Sequence, residues 1–429
     1  MREKVRKTVF KNTSIQLLGR GVILVLGLIT TRLLTGNLGV KLYGDYVFLT
    51  AFWLFLVNLS DWGTPFVGVR EISRQRNNSK KSLVFTNLVY LRRYLLLGTL
   101  LIGLILIAAL SAFTNLRLLA ALSLLALIFT SFQINLTTLF QAFFRFDWQT
   151  LMEISNNGFF LLFLYFSFSS TSFFWPKGLA GVILALVLAR LLSFFLALFK
   201  SKKLPVIFSQ KSKQTILFLG KEALPTGGLL FLSTAYDRLV DTLFLKNFWG
   251  SGAVGVYGLS YKLYSNLILP AYFFSRTLFP FLSQGKKKEK TQAVFKLGIT
   301  WSLLGSFLII GLGWGFSFPL ISFLGGEPYL EAVTFLRILL LSLPFTYLNH
   351  IFGFSLIAQN KQFLSFKIGL FSLLWNLILN WWAIPRFASL GAAWVTVSTE
   401  ILVCLLSFLV LKKTKATWYT RTDERNRPN

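Results

Sequence analysis

The chain has 429 residues, of which 55% are hydrophobic and 17% aromatic, with a mean hydropathy of +0.64 and a formal net charge of +29. This composition excludes an ordinary soluble protein, because apolar runs repeat at about the 20-residue length that spans a bilayer. A single cysteine, Cys404, and a single histidine, His350, exclude a disulfide framework and a metal site rich in Cys and His.

Twelve apolar runs are predicted as membrane-spanning helices, so the predicted fold class is an all-α polytopic membrane protein. The runs cover residues 13–34, 45–67, 83–109, 118–141, 151–169, 178–199, 215–244, 254–283, 293–315, 332–357, 362–384 and 389–410. An even number of spans places both termini on one side of the membrane. Lys and Arg are concentrated on that side, which the positive-inside rule predicts to be cytoplasmic. Because the basic residues serve to orient helices, nucleic-acid binding is not expected.

A basic segment, 200–214, divides the chain near its midpoint and predicts two halves of six helices each. The N-terminal lobe is predicted over 1–199 and the C-terminal lobe over 215–410. Residues 411–429 are predicted to form a polar cytoplasmic tail.

The two halves share a short pattern that indicates an internal repeat. Tyr43-Gly44 opens the second span of the first half, and Tyr257-Gly258 opens the second span of the second half. A basic residue, Arg32 or Lys246, ends the preceding span in each half. Because each half has an even number of spans, the repeat is expected to be parallel, with a cavity between the lobes.

Several basic residues fall well inside the predicted spans, about 10 to 18 Å from the span ends. Such residues usually face a bundle interior or a water-filled path. Guanidinium binds phosphate oxygens in pairs and Lys supplies a movable point charge, so an anionic, pyrophosphate-containing cargo is predicted. The alternative for each residue is neutralisation by a neighbouring carboxylate or by backbone carbonyls. The deep basic residues are Arg20, Arg92, Arg93, Arg190 and Lys262.

Three acidic residues within the spans, Asp237, Asp241 and Glu400, have two interpretations. The favoured one for the first two is structural, with Arg238 paired to Asp241 on one helix face. In the other interpretation these acids bind a coupling cation, either a proton or a sodium ion. A further acid, Asp61, is expected to cap its helix or to pair with Arg70.

The order of short motifs resembles the MOP (multidrug/oligosaccharidyl-lipid/polysaccharide) exporter superfamily, and within it the polysaccharide-biosynthesis flippases of the Wzx type. The motifs cover nearly the whole chain. They are Arg32-Leu-Leu-Thr-Gly-Asn-Leu-Gly39, Tyr43-Gly44-Asp45-Tyr46, Leu59-Ser60-Asp61-Trp62-Gly63, Val69-Arg70-Glu71, Leu224-Pro225, Val240-Asp241-Thr242, Tyr261-Lys262-Leu263, Leu278-Phe279-Pro280, Leu336-Arg337-Ile338, Ile384-Pro385-Arg386 and Leu390-Gly391-Ala392-Ala393.

This resemblance implies two six-helix lobes around a central cavity that opens alternately to each side of a bacterial inner membrane. The implied cargo is a polyprenyl-pyrophosphate-linked glycan, moved outward for surface polysaccharide biosynthesis. The implied surroundings are membrane lipids and a polysaccharide polymerase or other assembly proteins. Lys262 aligns with a basic, cavity-facing position of related flippases. The predicted substrate-binding set is Lys262, Arg20, Arg92, Arg93, Arg190 and Arg32, and the predicted ion-coupling set is Asp237, Asp241 and Glu400.

Enzymatic functions fit the sequence less well than transport. Gly220-Lys221-Glu222 lacks the Ser/Thr and the upstream glycine spacing of a nucleotide-binding P-loop, and no cofactor is expected. A glycan polymerase or ligase would also be expected to carry a sizeable loop with paired carboxylates outside the membrane. The alternatives to a flippase are therefore a multidrug cation exporter of the same superfamily and a membrane-embedded polysaccharide-assembly enzyme. An exporter of cations would be expected to have an acidic cavity, whereas this one is predicted to be basic.

Overall fold

A computed structural model describes residues 2–169, 175–234, 239–284, 288–359 and 361–414, and these contain helices but no strand. The chain divides into two compact units, Met1–Thr234 and Ala235–Asn429. The helices of the first unit are α1 (Arg2–Asp61), α2 (Thr64–Arg74), α3 (Asn78–Ala109), α4 (Arg117–Ala142), α5 (Phe146–Phe168), α6 (Gly178–Ser201) and α7 (Lys213–Thr234). Those of the second are α8 (Val240–Gln284), α9 (Lys288–Gly325), α10 (Ala332–Leu340), α11 (Leu343–Ala358) and α12 (Gln362–Thr414).

Seven helical segments of the described chain are long and apolar enough to cross a membrane, or eight if the pair α10 and α11, bent by 45°, forms one span. The all-α polytopic fold class is therefore confirmed. Two of the seven segments, Ser14–Arg74 and Gln362–Lys413, each cover two predicted spans. The total of twelve spans stays a prediction.

Breaks inside the longest helices explain how one helical segment can contain two spans. At about 1.5 Å per residue, a straight helix as long as α1 would exceed a bilayer core of about 30 Å by far. The backbone is non-helical at Gly39 in α1 (φ 68°, ψ 175°), at Gly250 in α8 (φ 78°, ψ −175°) and at Ala388 in α12 (φ 49°, ψ −131°). The first two breaks lie just before Tyr43-Gly44 and Tyr257-Gly258. Both connections thus break at a glycine, and the internal repeat itself stays a prediction.

The break at Gly39 leads to a stability prediction. Its φ and ψ lie in a region that only glycine adopts readily, so Gly39→Ala is expected to destabilise the protein by about 1–3 kcal/mol. Gly36 is the matched control, because it has no such conformation and a Cβ there would meet no atom within 4 Å. Gly36→Ala is expected to be neutral or to stabilise by up to about 1 kcal/mol, since alanine favours helix. Thermal unfolding of the purified variants in detergent measures both, and equal shifts would contradict the assignment.

The segment between α6 and α7 is held against α3. The backbone N–H groups of Ile207, Ser209 and Ser212 donate to the side chains of Ser82 (3.2 Å), Thr86 (2.9 Å) and Asn87 (2.7 Å), respectively. These three acceptors are buried on α3. The predicted basic linker is therefore an ordered part of the first unit.

Two further features tie this region to the first unit. Lys211 donates to the hydroxyl of Tyr94 (2.7 Å), and this hydrogen bond raises the pKa of Lys211. Helix α7 packs on α1, α2 and α3. The sequence assigns α7 to the C-terminal lobe, and that lobe boundary stays a prediction.

Each unit has its own apolar core. In the first, Ile72, Phe140 and Met152 are fully buried where α2, α4 and α5 meet. In the second, Ile351 and Leu356 of α11 pack in one cluster with residues of α8 and α12. Such packed contacts hold the helices at fixed separations, so the polar side chains between the helices have defined partners.

Candidate functional site

Arg92 on α3 is a fully buried basic residue of the first unit. Its side chain forms an ion pair with Asp61 at the end of α1. Asp61 was expected to cap its helix or to pair with Arg70, and the pairing with Arg70 is wrong. Arg70 instead binds Glu71 (2.8 Å) and, on α7, Glu222 (2.5 Å). Because Arg92 lies on an adjacent helix and Arg70 is bound by two other acids, the carboxylate of Asp61 pairs with the buried Arg92.

Arg20 on α1 also has a carboxylate partner. Its Nη2 lies 3.3 Å from Oε2 of Glu153 on α5, and the side chains are 48% and 32% exposed. Gly19 permits this contact, because a Cβ at Gly19 would lie 2.1 Å from Cγ2 of Thr150 on α5. For Arg20 and Arg92, then, the structure supplies the neutralising acid that was the alternative to substrate binding.

Arg190 has a different environment, in the middle of α6. The guanidinium carbon lies 5.0 Å from the ring centroid of Trp53 on α1, a cation–π arrangement. The described residues place no carboxylate in an ion pair with Arg190. The charge of Arg190 therefore faces the ring of Trp53 in place of an acid.

The remaining basic candidates are distributed over three helices. Arg93 is exposed on α3 beside the buried Arg92, and Arg32 is exposed on α1. Lys262 on α8 is half-buried, and its backbone carbonyl accepts from Asn266 Nδ2 (3.0 Å) and Ser265 Oγ (3.0 Å). The roles of Arg93, Arg32 and Lys262 in substrate binding stay predictions.

A polar cluster in the second unit surrounds Asp241, near the start of α8. Asp241 is buried, and its Oδ2 accepts from Tyr257 Oη (2.8 Å) and Thr396 Oγ1 (3.3 Å). Its Oδ1 accepts from Asn380 Nδ2 (2.8 Å), which also donates to Asn376 Oδ1 (3.0 Å). Hydrogen-bond donors to this carboxylate therefore come from both α8 and α12.

The break in α12 contributes to this cluster, because Asn380 precedes Ala388 and Thr396 follows it. Asn380 Oδ1 is buried and accepts no hydrogen bond from the described residues. Oxygen ligands are those that hard cations prefer. An orphaned carbonyl oxygen beside a buried carboxylate fits a small cation.

Of the other predicted ion-coupling residues, Glu400 on α12 is half-buried and accepts from Asn349 Nδ2 at 2.7 Å. Asp237 lies outside the described residues. So does Arg238, the predicted partner of Asp241.

Sequence reasoning missed two groups of neutral polar residues. Around Asp241 these are Tyr257, Asn376, Asn380 and Thr396. On α5 they are Gln149 and Asn156. The signal was present, since carboxamides are uncommon in membrane spans and their polar groups need partners there.

A family model described as "Polysaccharide biosynthesis protein" matches residues 9–286, which is more than half of the 429-residue chain. The chain belongs to this family. A second family model, MatE, matches residues 225–382.

Similar proteins agree with the family. A "Capsular polysaccharide biosynthesis protein CapF" of Staphylococcus aureus is 30% identical over 188 residues, a match that covers 42% of this chain and 46% of that protein. The match thus spans about half the length of this relative.

Two solved structures share the fold. The lipid II flippase MurJ, in an inward closed conformation, has a TM-score of 0.77 at 16% identity and covers 94% of this chain and 87% of its own. An inward-facing multidrug resistance MATE transporter of the MOP superfamily has a TM-score of 0.76 at 12% identity, with coverage of 94% and 98%. The predicted polysaccharide-biosynthesis family is confirmed, and the chain has the multi-pass membrane fold of a MATE transporter of the MOP superfamily.

Proposed function

We propose that this protein is a flippase that moves a polyprenyl-pyrophosphate-linked oligosaccharide from the cytoplasmic to the outer leaflet of a bacterial inner membrane. It works by alternating access of a central cavity and supplies surface polysaccharide biosynthesis. Family membership supports the glycan pathway. The names of two relatives, one for capsular polysaccharide biosynthesis and one for lipid II flipping, support a lipid-linked glycan as cargo. A polymerase or another assembly protein would receive that product.

The observation that carries the proposal is the environment of Arg190. Arg190 lies about 16–18 Å from either end of α6, at the depth of the bilayer midplane. Its side chain stacks near Trp53, and the indole Nε1 of Trp53 is a buried donor without a hydrogen-bond partner among the described residues. A cation and an orphaned N–H donor close together suit a phosphate group, which accepts from several donors at once.

A coupling ion is the second part of the proposal. Asp241 offers a buried carboxylate among oxygen-bearing side chains, and Asn380 Oδ1 beside it accepts no hydrogen bond from any described residue. A sodium ion or a proton taken up there would provide the energy for outward movement. Asp237 and Glu400 remain further candidates for the same role.

Export of cationic drugs is the second candidate function, favoured by the MatE match over residues 225–382. The arrangement around Arg190 favours an anionic cargo instead. A cationic drug near an arginine that has no ion-paired acid would be repelled, at a cost of several kcal/mol in a partly buried site.

Flipping can be tested directly in vesicles that contain the purified protein and a fluorescent undecaprenyl-pyrophosphate-linked N-acetylglucosamine. Movement between leaflets is expected without ATP, and it should accelerate when a sodium, proton or electrical gradient is imposed. Vesicles loaded with ethidium provide the comparison, since an exporter of cationic drugs would move the dye and not the lipid. Lipid movement equal to that of protein-free vesicles would contradict the flippase.

The proposed orientation makes a separate prediction. Reporter fusions at Lys203, between α6 and α7, and at Gly326, after α9, are expected to report cytoplasmic and outer positions, respectively. The reason is the concentration of Lys and Arg in the gaps on the side of Lys203. Alkaline phosphatase and green fluorescent protein, which are active on opposite sides, measure it. The reverse pattern would overturn the assignment of cytoplasmic termini.

A further inference from the structure

A row of polar side chains runs along α5 in the first unit. Gln149, Glu153 and Asn156 are spaced by four and three residues, so they share one face of the helix. Gln133 of α4 and Arg20 of α1 contact this face. These five residues are called the α5 polar track.

Two hydrogen bonds and one ion pair link members of the track. Gln149 Nε2 donates to Glu153 Oε1 (3.0 Å), and Arg20 forms its ion pair with the same carboxylate (3.3 Å). Deeper along the helix, Asn156 Nδ2 donates to Gln133 Oε1 (3.3 Å), and Gln133 is buried on α4. The track therefore extends about 15 Å from the N-terminal end of α5 toward the middle of the membrane.

Two carbonyl oxygens of the track are not satisfied. Gln149 Oε1 and Asn156 Oδ1 are both buried and accept no hydrogen bond from the residues that the structure describes. Leaving a buried acceptor unpaired is unfavourable, so such groups usually have a partner. Because both are acceptors, the missing partner must be a hydrogen-bond donor.

The charge of the track is balanced, which distinguishes it from the surroundings of Arg190. Glu153 already neutralises Arg20, so the pair offers no net positive charge to a phosphate. The pair is also partly exposed, although Glu153 lies about 10 Å from the N-terminal end of a membrane-spanning helix. An exposed ion pair at that depth is costly against lipid and therefore indicates a water-filled path.

We propose that the α5 polar track binds the sugar part of the lipid-linked substrate, through sugar hydroxyl or acetamido N–H groups that donate to Gln149 Oε1 and Asn156 Oδ1. This inference rests on the proposed flippase function. The pyrophosphate is bound elsewhere, by basic residues such as Arg190, and the track binds the glycan. Arg20 then acts as a positioning residue that holds Glu153, and not as a phosphate ligand.

The test compares two lipids that differ only in the sugar. The affinity of the purified protein in detergent is measured by calorimetry for undecaprenyl pyrophosphate and for undecaprenyl-pyrophosphate-linked N-acetylglucosamine. Wild-type protein is expected to bind the glycosylated lipid more tightly. Gln149→Met and Asn156→Leu keep similar side-chain volumes and should each weaken its binding about tenfold, the loss of one good hydrogen bond. Binding of the sugar-free lipid should not change.

Asn157→Leu is the matched control, because Asn157 is adjacent on α5 but donates only to the backbone carbonyl of Glu153 (2.8 Å) in the described structure. It should leave the affinities for both lipids unchanged. Equal binding of the two lipids by the wild type, or equal weakening of both by the Gln149 and Asn156 variants, would overturn the inference while leaving the flippase proposal intact. Binding of neither lipid by the wild type would instead contradict the flippase proposal itself.

Discussion

Arg190→Ala is expected to reduce transport of the lipid-linked glycan strongly while leaving the amount of protein in the membrane unchanged. Hydrogen bonds to charged groups contribute about 1.5–3 kcal/mol, so the loss in affinity for a pyrophosphate is roughly 10- to 150-fold. Folding should tolerate the change, because no described carboxylate loses an ion-pair partner. Arg190→Lys keeps the charge but loses the paired donors and the flat stacking surface, so an intermediate rate is expected.

Arg92 provides the opposing control at a similar depth. Removing this fully buried arginine leaves Asp61 without its ion-pair partner, which typically costs about 3–5 kcal/mol. Arg92→Ala should therefore reduce the amount of folded protein, and any loss of transport should follow that reduction. Complementation of a flippase-null strain, with membrane abundance measured in parallel, separates the two outcomes. Normal complementation by Arg190→Ala would remove this residue from the binding site.

Hydropathy was sufficient to predict the all-α polytopic fold, because the length of a membrane span is set by the bilayer and not by tertiary contacts. Breaks inside spans were harder to predict. The run 332–357 was predicted as one span, yet α10 ends at Leu340 and α11 begins at Leu343 with a bend of 45°. Pro344, in the first turn of α11, was the available signal, because proline favours the start of a helix.

The partners of the charged residues could not be obtained from the sequence. Asp61 had a plausible partner nine residues away in Arg70, whereas its actual partner, Arg92, lies 31 residues away on α3. Helix packing decides such pairs, and local spacing carries no information about it. Neutral side chains such as Asn156 were overlooked for another reason: they carry no charge, and the candidate residues were chosen by their charge. Their importance is visible only once their buried oxygens are seen to have no donor.

Asp241→Asn is expected to uncouple transport from the ion gradient with little effect on folding. The substitution preserves the shape of the side chain, and its carbonyl oxygen can still accept from Asn380 or Tyr257. It removes the negative charge, which supplies most of the attraction for a bound cation. Flipping in vesicles should continue slowly but lose its acceleration by a sodium or proton gradient.

Glu400→Gln is the matched control variant for the Asp241→Asn prediction. It also neutralises an acid on a membrane-spanning helix, but one whose carboxylate accepts from the side-chain amide of Asn349 on α11. If the cation binds among Asp241, Asn380 and Thr396, the Gln variant should keep gradient acceleration and the Asn variant should not. The thermal midpoint of the wild type should also rise with sodium at fixed pH if sodium is the ion, or change with pH at fixed sodium if it is a proton, because a ligand that binds the folded state stabilises it. Either response should vanish in Asp241→Asn. Retention of that response by Asp241→Asn, with its loss in Glu400→Gln, would transfer the coupling site to α12 and the neighbourhood of Asn349.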